Sequence, residues 1–291
     1  MTISTFFKSH EKDLGGGLKV RRVLPAAAKQ AVGPFIFFDH FGPLDAPADA
    51  NHDVRPHPHI GLATVSYLYE GAMEHRDSVG SVQRVEPGAI NWMTSGSGIV
   101  HSERVPADLA GQPRRSHGLQ LWAALPKSHE EVAPSFAHTP ASAIPSVRFD
   151  GGHARVLIGS AFGLTSPVVT FSETLYLDIR LDAGGDLVLA DLPEEAAIYA
   201  VGGAIDIDGA PLAAHTMAYL EPGTGARIST EGGAQFVVIG GEPLDGPRFI
   251  FWNFVSSSKE RLARAADDWE QQRFDKVPGE TEFIPLPKPP R

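Results

Sequence analysis

The sequence predicts an all-β protein: two similar barrels in tandem, followed by a short helix and a tail. Three observations point there. Short runs rich in Val, Ile, Leu, Phe and Tyr recur at 18–24, 64–69, 89–93, 118–123, 154–158, 174–181, 197–201 and 235–239. Turn residues punctuate them, since the chain carries 30 Gly and 24 Pro spread along its length. Many short strands separated by turns pack as a sandwich or barrel. Finally, a pair of sequence marks recurs in the same order in each half, and helical periodicity is absent until the C-terminus.

The recurring marks set the tandem reading. The first half has Tyr67-Leu-Tyr-Glu-Gly71-Ala72 and then Val85-Glu-Pro87-Gly88; the second has Tyr199-Ala-Val-Gly-Gly203-Ala204 and then Leu220-Glu-Pro222-Gly223. Pro fixes φ and Gly accepts a positive φ, so Pro-Gly serves as a tight turn at a strand start. Glu-Pro-Gly is a common turn tripeptide, so coincidence competes with duplication; two marks in one order favour duplication. Residues 127–145 carry Glu130, Glu131, Pro134, Pro140 and Pro145 without steady alternation, which reads as a connector over the surface. The expected partition is 1–135 for the first barrel, 136–250 for the second and 251–291 for a helix and Pro-rich tail. Ser257 and Glu260 have the spacing of a capping box. Leu262, Ala265, Ala266 and Trp269 follow at helical spacing, with Trp269 expected as a packing anchor on the outside of a barrel. A domain-swapping arm is the alternative for this segment.

Composition excludes several function classes. Of 291 residues, 42% are hydrophobic, enough for a sizeable core. Lys plus Arg total 25 and Asp plus Glu 35, so the formal charge is 25 − 35 = −10. An acidic chain repels the phosphate backbone, so no direct nucleic-acid partner is expected and a protein partner suits it better. There is no cysteine, which removes disulfides, thiolate zinc sites, iron–sulfur clusters and Cys nucleophiles. Any metal must therefore be held by nitrogen and oxygen. The first 17 residues lack the apolar core of a signal peptide, and no run approaches the ~18 apolar residues of a membrane helix. A cytoplasmic protein without a membrane partner is expected. Gly15-Gly16-Gly17 lacks the strand–helix frame of a phosphate loop.

The chemistry-bearing residues are histidines. The chain has 12, and all but His215 lie in the first 153 residues. In a duplicated fold this suggests one working site and one copy without it. His57-Pro58-His59 precedes the apolar run at 62–69, and His101-Ser102-Glu103 follows Ile99-Val100. Residues i and i+2 of a strand share a face, and Pro58 favours extended geometry at His57. Two such strands facing across a barrel bring His57, His59, His101 and Glu103 together around one metal. A single His-x-His is more often surface or turn; the two pairs together on a repeat scaffold favour metal. Of the remaining candidates, His75 suits a place beside the site or a solvated turn, His117 a structural hydrogen bond, and Trp92 and Met93 the core. Asp39 and His40 have no nucleophile-elbow serine to serve.

These residues also carry a resemblance. Phe37-Phe38-Asp39-His40-Phe41-Gly42-Pro43, His57-Pro-His59-Ile-Gly61, Thr64-Val-Ser-Tyr67 and Glu70-Gly71 resemble the pirin family. So do the segment from Trp92 through Gly96-Ser-Gly98 to His101-Ser-Glu103, and His117-Gly-Leu-Gln-Leu-Trp122. Thr174-Leu-Tyr-Leu-Asp178 and Gly240-Gly-Glu-Pro-Leu244 extend the likeness over about 15–255. Pirins belong to the cupin superfamily. The resemblance implies two cupin-type (double-stranded β-helix, jelly-roll) barrels packed together, with a single metal in the N-terminal one, held by His57, His59, His101 and Glu103. The chain departs from some pirins at Ile60 and Ala63, where they carry a basic and an acidic residue, so its site neighbourhood is less charged.

Three imidazoles and one carboxylate suit Fe(II) first, with Mn, Co, Ni, Cu or Zn as alternatives, because ligand type alone does not select among them. Some pirins have quercetin 2,3-dioxygenase activity. The resemblance therefore implies a flavonol or similar small aromatic enol and dioxygen as substrates, with Glu103 as general base. Its alternative implication is a non-enzymatic, redox-sensing metal-binding co-regulator of transcription, acting through a protein partner.

Overall fold

The computed structural model describes residues 2–14 and 18–287. Gly15–Gly17 and the last four residues of the tail lie outside the described residues. The chain forms two compact units that interleave in sequence. One comprises Asp13–Val20, His40–His138 and Asp245–Arg291; the other comprises Met1–Lys12, Arg21–Asp39 and Thr139–Leu244. No helix among the described residues is long and apolar enough to cross a membrane.

The histidine-rich unit is built around two larger sheets, beside a small hairpin of Phe249–Phe251 and Phe254–Ser256. In one, strand Leu62–Glu70 lies between Ile90–Thr94 and Arg114–Ala124, antiparallel to both. The other runs in the order Val54–His59, Ile99–Arg104, Met73–Asp77, Val82–Val85. The second unit repeats this plan. Glu195–Gly202 lies between Thr216–Leu220 and Ala234–Gly241, and a four-stranded sheet runs Asp186–Leu189, Ala226–Ser229, Ile205–Ile207, Ala210–Leu212. Its core draws on both sheets, with Val156, Leu177, Ile198, Phe236 and Val238 from one and Leu189, Ile205 and Ile228 from the other. This is the two-layer solution expected of strands with one apolar face each.

The duplication is real, but one mark sits at a different place in each copy. Gly71 and Gly203 both end the long central strand with positive φ, +87° and +78°. A side chain there would be strained, and a Cβ would meet Arg115 O at 2.6 Å or Gly233 O at 2.4 Å. Pro87-Gly88 precedes Ile90–Thr94, the strand that returns to pair with Leu62–Glu70. Pro222-Gly223 instead follows the equivalent strand, Thr216–Leu220. The turn that corresponds to Pro87-Gly88 contains His215, whose φ is +64°. A common turn tripeptide can serve any tight turn, so it marks no fixed register.

Interleaving arises at the sheet edges. Ile3–Lys8 adds to Thr216–Leu220 in antiparallel register, from Phe6 opposite Ala218 to Lys8 opposite Thr216. Ser135–Thr139 occupies the matching edge beside Ile90–Thr94. The second unit is thus completed by a strand lying outside its main stretch of sequence. The connector is less exposed than expected, because Glu130 within it is buried. Its carboxylate accepts from Ser257 N–H at 2.9 Å, Ser257 Oγ at 2.9 Å and Ser256 Oγ at 3.1 Å, and it pairs with Arg248 at 2.8 Å.

That contact shifts the C-terminal helix by one residue. With Ser257 engaged by Glu130, Ser258 becomes the cap of helix Lys259–Glu270, accepting from Arg261 N–H at 3.2 Å. The expected Ser257–Glu260 capping box does not form. Leu262, Ala265 and Trp269 bury their side chains with Ile60, Val100, Phe254 and Val277, a cluster that covers the outer face of the strands bearing the histidines. Trp269 also donates its indole N–H to Ile284 O at 3.0 Å, which ties helix to tail.

Candidate metal centre

Strands Val54–His59 and Ile99–Arg104 are hydrogen-bonded neighbours in one sheet, with His57 directly opposite His101 and His59 opposite Ile99. The expectation of two strands facing across a barrel is corrected here: adjacency in a ladder converges the rings more tightly. Each strand offers alternate residues to the same face, so His57, His59 and His101 project together. The ring centroids lie 4.3 Å apart for His57–His101, and 5.1 Å for both His57–His59 and His59–His101. One ligand nitrogen from each ring lies within 4.8 Å of the other two. The rings are 7%, 1% and 2% exposed.

Every ring has one nitrogen occupied and one left for a ligand. His57 Nδ1 donates to Arg55 O at 2.9 Å, and His59 Nδ1 donates to Asn253 O at 3.1 Å. His101 Nδ1 lies 3.4 Å from His75 Nδ1, and its Nε2 is buried with no hydrogen-bond partner. Donation from Nδ1 places the lone pair on Nε2, the pattern typical of metal-ligating histidines. Burial pushes the His57 pKa down to about 4, partly offset by the Arg55 carbonyl, and pushes His59 and His101 well below the ordinary histidine value. All three imidazoles are therefore neutral near pH 7, the form that ligates. A buried, unpartnered Nε2 among neutral rings fits a divalent transition metal. This group can bind one, and the set suits borderline ions that accept nitrogen donors.

Glu103 is placed differently. It follows His101 by two residues on the same strand, but its carboxylate lies outside the group of mutually close ligand atoms. The pairing explains part of this. Between His101 and Glu103 the ladder is irregular, so Glu103 stands opposite Val54 rather than Arg55. Pro56, which has no N–H to give the ladder, lies in the interrupted stretch. On its other side Glu103 faces His75. Burial raises its pKa, opposed only by the nearby His75.

Sequence reasoning left His75 undecided and missed two other contributors. His75 is buried on Met73–Asp77, donates Nε2–H to Asp77 Oδ2 at 2.9 Å, and stacks on Phe136 with centroids 4.3 Å apart. The His-x-Asp spacing has the same i, i+2 signature as His57-x-His59, and was the available signal. The Asn253 carbonyl is a backbone group, and no side-chain pattern announces it. Gly61 is the second. It turns the chain after His59 with φ +67°, and a Cβ there would lie 2.1 Å from Val255 O. Only glycine lets the Asn253–Val255 backbone come close enough to reach His59. Of the other candidates, Asp39 binds Arg22 at 2.7 Å and His40 binds His117 at 2.8 Å, so they form no dyad with each other. Trp92 and Met93 are core, and Trp122 meets His59 edge-on at 5.2 Å.

Known proteins resemble this chain along most of its length. The family model for pirin matches residues 17–123, and that for the pirin C-terminal cupin domain matches residues 176–275. A pirin-like protein of Caulobacter vibrioides is 44% identical over 98% of this chain and 100% of its own length. Mouse pirin is 34% identical over 91% of each chain. The crystal structure of a quercetin 2,3-dioxygenase from Acinetobacter baumannii superposes with a TM-score of 0.91 and 34% identity, covering 98% of this chain and 95% of that one. Matched family models in both halves, with a buried three-histidine group in the first, place the chain in the pirin family of two-barrel cupins.

Proposed function

We propose that this chain is a metal-dependent dioxygenase acting on a flavonol or a similar small aromatic enol. One divalent transition metal, Fe(II) before Mn, Co, Ni, Cu or Zn, would be held by His57, His59 and His101 with Glu103 as the fourth ligand. The observation that carries the reading is the convergence of three neutral, buried imidazoles with Nε2 left for a ligand. When bound, such a metal supplies a docking point for an enolate oxygen and a redox partner for dioxygen chemistry. The likeness to a quercetin 2,3-dioxygenase supports the substrate class.

Glu103 is the residue assigned to the proton. Its raised pKa makes the ionised carboxylate a stronger base than an ordinary glutamate. Lying outside the tight histidine group, it would be the most loosely held of the four ligands and so able to take the proton of a flavonol 3-hydroxyl on a carboxylate oxygen. The histidines, locked by Arg55 O, Asn253 O and His75, hold position instead of exchanging protons. Burial around them keeps bulk water from the reacting centre.

The test is turnover. Protein loaded in turn with Fe(II), Co(II) and Cu(II) is incubated with quercetin in air while flavonol absorbance and carbon monoxide release are followed. Glu103→Ala should lower kcat by about 10²- to 10⁴-fold. Equal rates for the two proteins with every metal would overturn the dioxygenase reading for this substrate. A metal-binding protein without turnover would then fit the regulatory alternative.

A further inference from the structure

We infer that Asp77 and His75 form an outer support for the metal site, a hydrogen-bonded chain that sets which nitrogen of His101 faces the metal. The inference rests on the metal reading above and deepens it. His57 and His59 are each fixed by a backbone carbonyl, which can only accept. His101 has no such carbonyl; its Nδ1 faces another imidazole, His75 Nδ1, at 3.4 Å. Two facing ring nitrogens can share only one proton, so something must decide which ring carries it.

Asp77 decides. Its Oδ1 accepts from the backbone N–H groups of Ser81 at 2.8 Å and Val79 at 3.1 Å, which pins the carboxylate in the turn. Its Oδ2 is thereby aimed at His75 Nε2, 2.9 Å away. A carboxylate accepts, so His75 carries its proton on Nε2 and offers the Nδ1 lone pair. His101 must then donate from Nδ1, and its lone pair falls on Nε2, the buried atom with no other partner. The order of strands allows this, because His101 stands opposite Asp77 and Glu103 opposite His75 in one ladder. Phe136 holds the His75 ring from the other side, stacked at 17° between planes. With His75 removed, His101 Nδ1–H would lose its acceptor, and either tautomer would serve equally well.

His75 and Asp77 are positioning residues, and their test is metal affinity and spectrum, not turnover. Co(II) binding is titrated into metal-free wild type, His75→Phe, His75→Gln and His101→Ala, with the visible d–d spectrum recorded and metal-free melting temperatures as the fold check. His75→Phe keeps the stack on Phe136 but offers no acceptor, and should weaken Co(II) binding by about 10- to 100-fold with a shifted d–d envelope. His75→Gln restores an acceptor oxygen and should recover most of that loss. If His75→Phe binds Co(II) within about threefold of wild type and with the same spectrum, the inference fails while the metal site stands. Undiminished binding by His101→Ala, or none by wild type, overturns the metal reading and this inference with it. Should His75→Phe not fold, Asp77→Asn takes its place, with an expected loss of at least about threefold, and unchanged affinity again overturns the inference.

Discussion

Replacing Glu280 by alanine should release the C-terminal tail from the back of the His101 strand without unfolding the protein. On Ile99–Arg104, His101 and Glu103 face inward, while Val100, Ser102 and Arg104 face the tail. Glu280 is only 9% exposed at its side chain and accepts from Ser102 Oγ at 2.5 Å and from Arg104. A hydrogen bond to a charged group contributes about 1.5–3 kcal/mol. Breaking a fully buried ion pair would cost about 3–5 kcal/mol, but Arg104 keeps Glu282 at 2.7 Å and Asp53 at 3.4 Å, so the full penalty does not apply. A net loss of about 2–3 kcal/mol in tail docking follows, or about 30- to 140-fold more frequent opening. The reporter is the Ile284 amide, which donates to Pro56 O at 2.8 Å. Its hydrogen exchange should accelerate by about that factor while core amides such as those of Leu62–Glu70 stay protected. The same contact predicts a pH dependence. Burial alone would raise the Glu280 pKa, but Arg104 and Ser102 hold it below its ordinary 4.5. A depressed carboxylate pKa contributes stability that is present above 4.5 and lost as the pH falls below it. Protection at Ile284 should therefore decline below that pH in the wild type and much less in Glu280→Ala. Unchanged exchange in the variant, or an equal acceleration at every core amide, would refute a local clamp.

Three more outcomes can be checked. Gly61→Ala places a Cβ against Val255 O at a positive φ, and should destabilise by about 2 kcal/mol or more through strain and clash; a denaturant midpoint equal to wild type would contradict it. Trp269→Ala empties the centre of the cluster under the helix, and should lower stability by about 3–5 kcal/mol, read by thermal melting. In chelator, the metal-free protein should lose stability as the pH falls from 6.5 toward about 4, because the unfolded chain protonates His57 in that window and the folded chain does not. His57→Ala should flatten this part of the melting-temperature profile, and an equally steep profile would refute the assignment.

Much of this was legible in the sequence because strands report themselves by alternation. The run expected at 174–181 is found as Thr174–Leu181, and that expected at 64–69 grows only to Leu62–Glu70. The histidine pairs were legible for the same reason: spacing i, i+2 fixes a shared face wherever a strand forms. What alternation does not carry is pairing. That Val54–His59 lies beside Ile99–Arg104, and not across from it, depends on the path of the intervening hairpins. Ile3–Lys8 was missed because its half-exposed pattern is weak, and its partner lies more than 200 residues away. His75 was undecided because Glu74 and Arg76 around it read as a solvated turn. In the fold those two neighbours form an ion pair at 2.6 Å on one face, while His75 and Asp77 turn inward on the other. The polar run is a strand whose inward face is polar, and hydrophobicity patterns do not see such strands.

The C-terminal extension carried no chemistry in its sequence, yet its backbone takes part in the site. The period of two in a strand makes this unavoidable. A strand that sends His101 and Glu103 inward must send Ser102 and Arg104 outward, and whatever grips the outer residues fixes the inner ones. Here the grip is Glu280 on Ser102 and Arg104, Ile284 on Pro56, and Asn253 O on His59 itself. Rings held on one side by inner hydrogen bonds and on the other by a docked segment lose little freedom on binding an ion, which is the physical content of preorganisation. Loosening the tail therefore acts on the metal through strand position, while removing His75 acts through the tautomer of one ring. The two perturbations should be separable. Glu280→Ala should broaden the geometry around all three histidines and raise the metal off-rate. His75→Phe should leave His57 and His59 in place and change the bonding of His101 alone.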